Sequence, residues 1–260
     1  MPKQKITALI LDMDGVLWRD NEPIGDLPAI FNSIHGLNLK YAFLTNNSSK
    51  TPESYQRKLA KFGVHVSADL IMTSSQAVSI LLKKKYPSGG PVFIVGEDGL
   101  KTALESQRFY HQEKHALAVV AGLDRTITYE KLATATLLIR SGAGFYGTNP
   151  DRTYPSPKGL IPGAGSVIEF LKIASGINPI IAGKPKPLMF RLALKELDVK
   201  PEETLDIGDR IETDLVGGKR VGCQTALVTS GVSSLDDIST SRHKADFTFP
   251  DLATLISKMF

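Results

Sequence analysis

Hydrophobic and polar positions alternate along this chain in two kinds of block. Short apolar runs such as Ile6–Leu11 and Lys40–Leu44 are separated by longer stretches, such as Leu27–His35, in which apolar residues recur every three or four positions. Short apolar runs are typical of buried strands, and the longer spacing is typical of amphipathic helices. The regular alternation of the two predicts an α/β fold with a doubly wound parallel sheet.

The same pattern predicts the individual elements. The predicted strands are Ile6–Leu11, Lys40–Leu44, Leu70–Thr73, Val92–Val95, Leu117–Ala121, Asn178–Ala182, Leu205–Ile207, Gln224–Val228 and Phe247–Phe249. The predicted helices are Leu27–His35, a helix that starts at Thr51-Pro52-Glu53 and ends at Gly63, Ser75–Lys85, Leu100–Gln107, Tyr129–Ser141, Gly163–Ser175, Met189–Leu197, Leu215–Val221 and Leu252–Met259.

The spacing of these elements predicts two domains. The pattern restarts after the turn-rich segment Pro87–Pro91, and the segment from Thr45 to Lys184 is far longer than one crossover connection needs. This segment contains strands and helices of its own. We therefore predict a Rossmann-like core formed by residues 1–80 and 179–260, with residues 81–178 inserted as a smaller α/β cap domain.

Polar side chains follow four of the predicted strands. They are Asp12 and Asp14 after the first strand, Thr45 and Asn46 after the second, Lys184 after Asn178–Ala182, and Asp209 and Asp214 after Leu205–Ile207. Parallel strands bring their carboxyl ends to one edge of a sheet, where open α/β sheets bind ligands. Asp12 and Asp14 would repel each other unless a cation or a shared proton lies with them. A hard divalent cation, usually Mg²⁺ where phosphate is present, is the expected occupant.

Four motifs resemble those of the haloacid dehalogenase superfamily of hydrolases, and more narrowly its NagD-like, p-nitrophenylphosphatase-like branch. They are Asp12-Met13-Asp14-Gly15-Val16, Leu44-Thr45-Asn46-Asn47, Ala182-Gly183-Lys184-Pro185, and Gly208-Asp209-Arg210-Ile211-Glu212-Thr213-Asp214. Their order and spacing match the family along nearly the whole chain. The resemblance implies Mg²⁺-dependent hydrolysis of small phosphomonoesters through an aspartyl-phosphate intermediate.

The resemblance also implies roles for the acidic residues. Asp12 would be the nucleophile, and Asp14 would be the general acid that protonates the leaving oxygen and then the base that deprotonates the attacking water. Mg²⁺ would be bound by Asp12, by the backbone carbonyl of Asp14 and by Asp209. Asp214 would either hydrogen-bond the waters of the metal or hold Lys184; a helix N-terminal acid is the alternative.

The remaining motif residues would bind the phosphoryl group. Thr45 offers a hydroxyl, Asn46 offers a backbone N–H, and Lys184 offers a positive charge that offsets the nucleophile and the phosphate oxygens. The inserted domain resembles the type IIA cap of this branch. Its segment Thr148-Asn149-Pro150-Asp151 matches one that lies near the substrate, which makes Asn149 and Asp151 candidates for specificity, although the same residues are typical of a plain turn.

Three residues near these motifs need an explanation. Asp20 lies in a short flap, Val16–Ile24, where the branch usually has a glycine. Trp18, in the same flap, either contacts substrate or packs in the core. Asp206 stands inside a predicted central strand, where an apolar residue is expected, so it requires a charge partner or an exposed face.

The sequence also bears on other functions. A dehalogenase does not need an acid two residues after its nucleophile, and a transport ATPase would carry an Asp-Lys-Thr-Gly motif, which is absent. A phosphotransferase or phosphomutase of the same superfamily remains an alternative. A phosphate-binding protein without activity is a second alternative, but such a protein would normally have lost an acid or the lysine.

Composition adds limits on partners and location. The net charge of +4 is mild and no basic arm is present, so we expect a small phosphorylated metabolite as the partner and no nucleic acid. No apolar run reaches the ~20 residues of a membrane helix, and Ile6–Leu11 is too short for a signal-peptide core. Cys223 is the single cysteine, which fits a cytoplasmic location. The sequence leaves open whether copies of this chain form a homo-oligomer through the cap.

Overall fold

The computed structural model describes residues 5–156 and 158–260. These residues form two compact units. The first consists of the described residues of Met1–Thr45 together with Pro52–Met72 and Lys184–Phe260, and the second consists of Asn46–Thr51 and Thr73–Gly183. The second unit therefore contains residues 46–51, 73–80 and 179–183, which the sequence pattern assigned to the core.

The described residues form strands and helices in regular alternation. The strands are β1 (Ala8–Leu11), β2 (Trp18–Arg19), β3 (Glu22–Pro23), β4 (Lys40–Thr45), β5 (Ile71–Thr73), β6 (Gly90–Val95), β7 (Phe109–His111), β8 (Ala118–Ala121), β9 (Gly144–Gly147), β10 (Thr153–Ser156), β11 (Gly159–Pro162), β12 (Ile180–Ile181), β13 (Thr204–Gly208), β14 (Gln224–Val228) and β15 (Phe247–Phe249). The α-helices are α1 (Leu27–Gly36), α2 (Pro52–Lys61), α3 (Ser74–Lys85), α4 (Asp98–Glu105), α5 (Tyr129–Arg140), α6 (Ala164–Ser175), α7 (Pro187–Leu197), α8 (Val216–Val221), α9 (Leu235–Thr240) and α10 (Leu252–Met259).

The first unit is built on a six-stranded sheet in the order β15-β14-β13-β1-β4-β5. β1 pairs in parallel with β13 on one side and with β4 on the other. All four residues of β1 are fully buried, because a central parallel strand is covered on both faces. The predicted α/β class with a doubly wound parallel sheet is confirmed.

The second unit has its own five-stranded parallel sheet, in the order β12-β9-β8-β6-β7. Side chains from this sheet and from α5 and α6 form a separate hydrophobic core. β12 corrects one prediction. The strand predicted at Asn178–Ala182 was expected to bring Lys184 to the edge of the core sheet, but Ile180 and Ile181 pair with Tyr146 and Gly147 of the second sheet.

The elements that the sequence pattern missed are short. They include β7, α9 and the antiparallel hairpins β2–β3 and β10–β11, which are too brief for a hydrophobic period to show. The hairpin β2–β3 lies in the predicted flap. Its turn residue Asp20 has φ 51°, in the left-handed region that glycine adopts most easily. This agrees with the glycine that the family resemblance leads one to expect there.

Cys223, the single cysteine of the sequence, is buried. Among the described residues, the helices are too short or too polar to cross a lipid bilayer.

The sheet of the first unit should depend on the packing of β1. Leu9 is fully buried in its core, so Leu9→Ala should lower the free energy of unfolding by about 2–5 kcal/mol, from lost burial and the cavity left behind. Denaturant unfolding followed by the fluorescence of Trp18, the single tryptophan, measures this. Leu235→Ala is the matched control because Leu235 is 69% exposed; an equal loss in both variants would contradict the burial argument.

Candidate active site

Three strands of the first sheet end beside one another at the candidate site. Asp12 follows β1, Thr45 is the last residue of β4, and Asp209 follows β13. β1 lies between the other two strands, and the backbone N–H of Asp12 donates to the carbonyl of Ile207 at 2.9 Å. The three side chains therefore start from adjacent positions at the carboxyl edge of the sheet.

Lys184 joins this edge through its ammonium group. Its Nζ lies 2.7 Å from Oδ1 of Asp12 and 2.6 Å from Oδ1 of Asp214, and it donates to the carbonyl of Leu44 at 3.1 Å. The lysine side chain is 3% exposed. A buried ammonium in this position can keep its charge, because the carboxylates of Asp12 and Asp214 offset it and Asp12 and Leu44 accept its hydrogen bonds.

Burial and charge act against each other in this group. Burial disfavours the charged lysine, but the carboxylates of Asp12 and Asp214 outweigh it and raise the pKa of Lys184 above its usual value. Burial, with the carboxylates of Asp214 and Asp209, raises the pKa of Asp12, although Lys184 opposes this. Without a further cation, the site holds more negative charge than one lysine balances.

Asp209 has one carboxylate oxygen fixed and one without a partner. Oδ2 accepts the backbone N–H of Val232 at 2.7 Å, whereas Oδ1 is buried and has no hydrogen-bond partner in the described part of the chain. The backbone approaches this carboxylate so closely that a Cβ atom at Gly15 or Gly231 would overlap it. Gly15 also has φ 86°. Burial and the charge of Asp214 raise the pKa of Asp209 to about 7.

The carboxylates fit a divalent cation. Oxygen atoms of Asp12, Asp209 and Asp214 all lie within 4.8 Å of one another, and all three residues are buried. If all three carboxylates ionise, their three negative charges exceed the positive charge of Lys184 by two, and Asp209 Oδ1 receives no hydrogen bond from the described residues. Hard divalent cations prefer such a set of oxygen ligands.

Asp214 is held by its loop and by the lysine. It lies on a π-helical turn, Ile211–Leu215, and its Oδ2 accepts the backbone N–H of Arg210 at 3.0 Å. A Cβ atom at Gly208 would overlap the Asp214 carboxylate. Of the alternatives left open by the sequence, the structure thus places Asp214 in contact with Lys184.

Asp14 has a different environment from Asp12. Its side chain is half-buried and lies outside the group of three carboxylates described above. Its Oδ1 accepts a hydrogen bond from the indole Nε1 of Trp18 at 2.8 Å. The sequence left the role of Trp18 open between substrate contact and packing, and it carried no signal for this hydrogen bond.

The other predicted residues lie together in the second unit. Nδ2 of Asn46 donates to Oδ1 of Asp151 at 3.1 Å, and Nδ2 of Asn149 donates to the carbonyl of Asn46 at 2.6 Å. The backbone N–H of Asp151 donates to Oδ1 of Asn149 at 3.1 Å, which is the turn that the sequence offered as the alternative. The segment thus forms both a turn and contacts with Asn46, and Asn46 directly follows Thr45 in the chain.

Asp206 is the charged residue that the sequence left without an explanation. It lies in β13, is 3% exposed, and its Oδ2 has no hydrogen-bond partner among the described residues. A Cβ atom at Gly218 would overlap its side chain. Burial first, and then the charges of Asp214 and Asp12, raise the pKa of Asp206, and Lys184 opposes them. Of the two explanations that the sequence offered, a charge partner or an exposed face, the exposed face is therefore absent.

Comparison with known proteins agrees with this fold. Residues 9–110 match the model of the haloacid dehalogenase-like hydrolase family, and residues 181–255 match a HAD-hydrolase-like model. An acid sugar phosphatase of Staphylococcus saprophyticus is 33% identical over 253 residues, which is 97% of each chain.

Solved structures show the same similarity. A 4-nitrophenylphosphatase from Thermotoga maritima superposes with a TM-score of 0.92 at 33% identity and covers 97% of both chains. NagD from Escherichia coli K-12 superposes with a TM-score of 0.87 at 31% identity, over 96% of this chain and 98% of NagD. The fold and these relatives place the chain in a class of hydrolases with an α/β core. The chain belongs to the haloacid dehalogenase-like hydrolase family, in its NagD-like, p-nitrophenylphosphatase-like branch of phosphoric monoester hydrolases.

Asp206 should make stability depend on pH. Its raised pKa means that the unfolded chain ionises above the ordinary value of 3.8 while the native carboxyl stays neutral, so Asp206 lowers the free energy of unfolding as the pH rises above about 4. Measured from pH 4 to pH 8, the free energy of unfolding of Asp206→Asn should increase relative to that of the parent, because asparagine has no carboxyl group to ionise on unfolding. Urea unfolding across this range in EDTA measures the difference.

The control for this prediction is Asp236→Asn, since Asp236 is exposed on α9. It should track the parent protein at every pH. A difference between Asp206→Asn and the parent that stays constant with pH would show that Asp206 is ionised in the native state.

Proposed function

We propose that this chain hydrolyses small phosphomonoesters, with Mg²⁺ as cofactor and with an aspartyl-phosphate intermediate on Asp12. The observation that carries the proposal is the buried group of Asp12, Asp209 and Asp214 around the ammonium of Lys184. Unaided hydrolysis of phosphate monoesters is among the slowest of reactions. A nucleophile with a preorganised positive environment is a direct way to accelerate it.

In the first step, a carboxylate oxygen of Asp12 attacks phosphorus and the bond from phosphorus to the leaving oxygen breaks. Lys184, 2.7 Å from Asp12, offsets the negative charge that the carboxylate and the phosphoryl oxygens bring together. Asp14 gives its proton to the leaving oxygen, so the alcohol departs neutral.

In the second step, water attacks the phosphorus of the aspartyl-phosphate and Asp14 accepts the proton of that water. The bond from phosphorus to the Asp12 oxygen breaks, which releases inorganic phosphate and restores the carboxylate. Asp14 is suited to both steps because it lies two residues from the nucleophile and is only half-buried.

The metal would be held by the side chains of Asp12 and Asp209 and by the backbone carbonyl of Asp14. The unpartnered Oδ1 of Asp209 supports this assignment, and Asp214 would act by holding Lys184. When bound, Mg²⁺ supplies positive charge that stabilises the transferring phosphoryl group.

Thr45 and Asn46 would bind the phosphoryl oxygens, and Asn149 and Asp151 would influence the choice of substrate. The hydrogen bonds of Asn149 and Asp151 to Asn46 support this second role, because Asn46 directly follows Thr45. The similarity to a protein named acid sugar phosphatase supports sugar phosphates as the substrate class. Pairing of copies through the second unit and a cytoplasmic location stay predictions.

The nucleophile can be tested by substitution. Asp12→Asn should lower kcat/KM for phosphate release by at least about a thousandfold, because the amide is not a nucleophile. The assay is inorganic phosphate release from sugar phosphates, glycerol phosphate, nucleotides and pyridoxal phosphate. Borohydride reduction of quenched parent enzyme should yield homoserine at position 12, detected by mass spectrometry.

Asp236→Asn is the matched control because it makes the same chemical change on an exposed side chain. It should keep the parental rate on every substrate. Activity that survives Asp12→Asn, or homoserine at another aspartate, would reject Asp12 as the nucleophile.

Metal binding can be tested apart from activity. A metal that binds only the native state at about 100 times its Kd adds about 2.7 kcal/mol of stability, which is a rise in Tm of about 5–10 °C. We expect Mg²⁺ to raise the Tm of the parent and of Asp236→Asn but not that of Asp209→Asn. An equal rise in Asp209→Asn would exclude Asp209 as a ligand, and EDTA should abolish phosphate release by the parent.

A further inference from the structure

Trp18 makes a contact that the proposed mechanism does not yet use. Its side chain is fully buried, and its Nε1–H donates to Oδ1 of Asp14 at 2.8 Å. This is the single hydrogen bond that the described residues give to the Asp14 carboxylate. A buried indole N–H normally requires an acceptor, and here the acceptor is the residue proposed as general acid and base.

The backbone around this contact is fixed by hydrogen bonds. The N–H of Gly15 donates to the carbonyl of Trp18 at 2.8 Å. The hydroxyl of Ser230 donates to the carbonyl of Gly15 at 2.7 Å, and Nε of Arg19 donates to the carbonyl of Ser230 at 2.7 Å. The turn that joins Asp14 to Trp18 is therefore tied to the loop after β14.

The indole ring itself is held on its faces. Tyr55 stacks on it with a centroid distance of 6.4 Å and an interplanar angle of 9°, and Phe62 packs against it at 6.0 Å. Nζ of Lys58 lies 4.0 Å from the ring centroid, a cation–π contact. A ring packed in this way cannot turn its N–H away from Asp14 without disturbing the α2 side chains.

Indole is a hydrogen-bond donor and never an acceptor. A carbonyl oxygen accepts a hydrogen bond better than the hydroxyl oxygen of a carboxylic acid does, so the indole N–H favours the protonated form of Asp14 in which Oδ1 is the carbonyl oxygen. The acid proton of Asp14 then favours Oδ2. The N–H also limits rotation of the carboxyl group, so the positions of its two oxygens are fixed relative to the indole.

We propose that Trp18 is a positioning residue that keeps the transferable proton of Asp14 on Oδ2 and holds that carboxyl group in its productive orientation. The inference rests on the proposed function, because it requires Asp14 to be the general acid. Protonation matters most when the leaving group is a strongly basic alkoxide and little when it is a weakly basic nitrophenolate. Loss of the N–H should therefore affect the two kinds of substrate unequally.

Trp18 is the single tryptophan of the chain, so a tryptophan analogue can be introduced at this position alone. Expression in a tryptophan auxotroph supplied with 3-benzothienylalanine replaces only Trp18, with sulfur in place of the N–H and the ring shape kept. We expect kcat/KM for an alkyl phosphate to fall by about tenfold to a hundredfold, mainly in kcat, and kcat/KM for p-nitrophenyl phosphate to fall by less than about threefold. kcat/KM is the proper quantity because it reports the step in which the leaving group departs.

Two comparisons separate positioning from packing. Protein containing 4-fluorotryptophan keeps the N–H and should retain the parental ratio between the two substrates. Trp18→Phe, which needs no analogue, should show the same unequal loss as 3-benzothienylalanine. Circular dichroism and Tm of each protein reveal any general loss of folding, which would reduce both activities alike.

Asp14→Asn separates the inference from the proposed function on which it rests. Its kcat/KM should also fall more for the alkyl phosphate than for p-nitrophenyl phosphate, and the difference should be larger than in the benzothienylalanine protein. Suppose that Asp14→Asn loses more activity on the alkyl phosphate than on p-nitrophenyl phosphate, but the benzothienylalanine protein loses both activities equally or loses neither. The role proposed for Trp18 is then wrong and the proposed function stands. If Asp14→Asn shows no inequality, Asp14 is not the general acid and both proposals fall.

Discussion

One buried ammonium surrounded by carboxylates is the constraint on which the site depends. Lys184 contacts Asp12 and Asp214 at 2.7 and 2.6 Å, and Asp209 completes a group of acids with their oxygens within 4.8 Å of one another. Such a group is costly to bury unless its charge is balanced. Lys184 balances only part of this charge. Burial first, and then the remaining negative charge, raise the pKa of Asp12, and the same remaining charge fits a divalent cation.

The backbone makes this crowding geometrically feasible. Side chains at Gly15, Gly208 or Gly231 would collide with the carboxylates of Asp209 or Asp214, so the acids come close together only because these positions carry none. Positive φ at Gly15 also lets the chain turn directly after β1. The strands bring the acids to one edge, and the glycines leave the space that the carboxylates occupy.

The two acids of the first motif differ because their partners differ. Asp12 is buried against an ammonium, whereas Asp14 is half-buried and receives a neutral indole N–H. The ammonium of Lys184 opposes the rise that burial causes in the pKa of Asp12 and so favours the anionic nucleophile, and a donor-only neutral partner suits a group that gains and loses a proton. Two identical side chains two residues apart can thus perform different chemistry, as their environments decide.

The sequence by itself determined the α/β alternation and the positions of Asp12, Thr45 and Asp209 at strand ends, because both follow from local hydrophobic periods. It also identified Lys184 as a site residue. Only the tertiary structure decided that the strand before this residue, β12, pairs with the second sheet and not with the core sheet. Contacts between residues distant in sequence decided the partner of Asp214 and the burial of Asp206, and the packing of the flap decided the hydrogen bond from Trp18 to Asp14. No local pattern encodes these, because each depends on which surfaces the folded chain brings together.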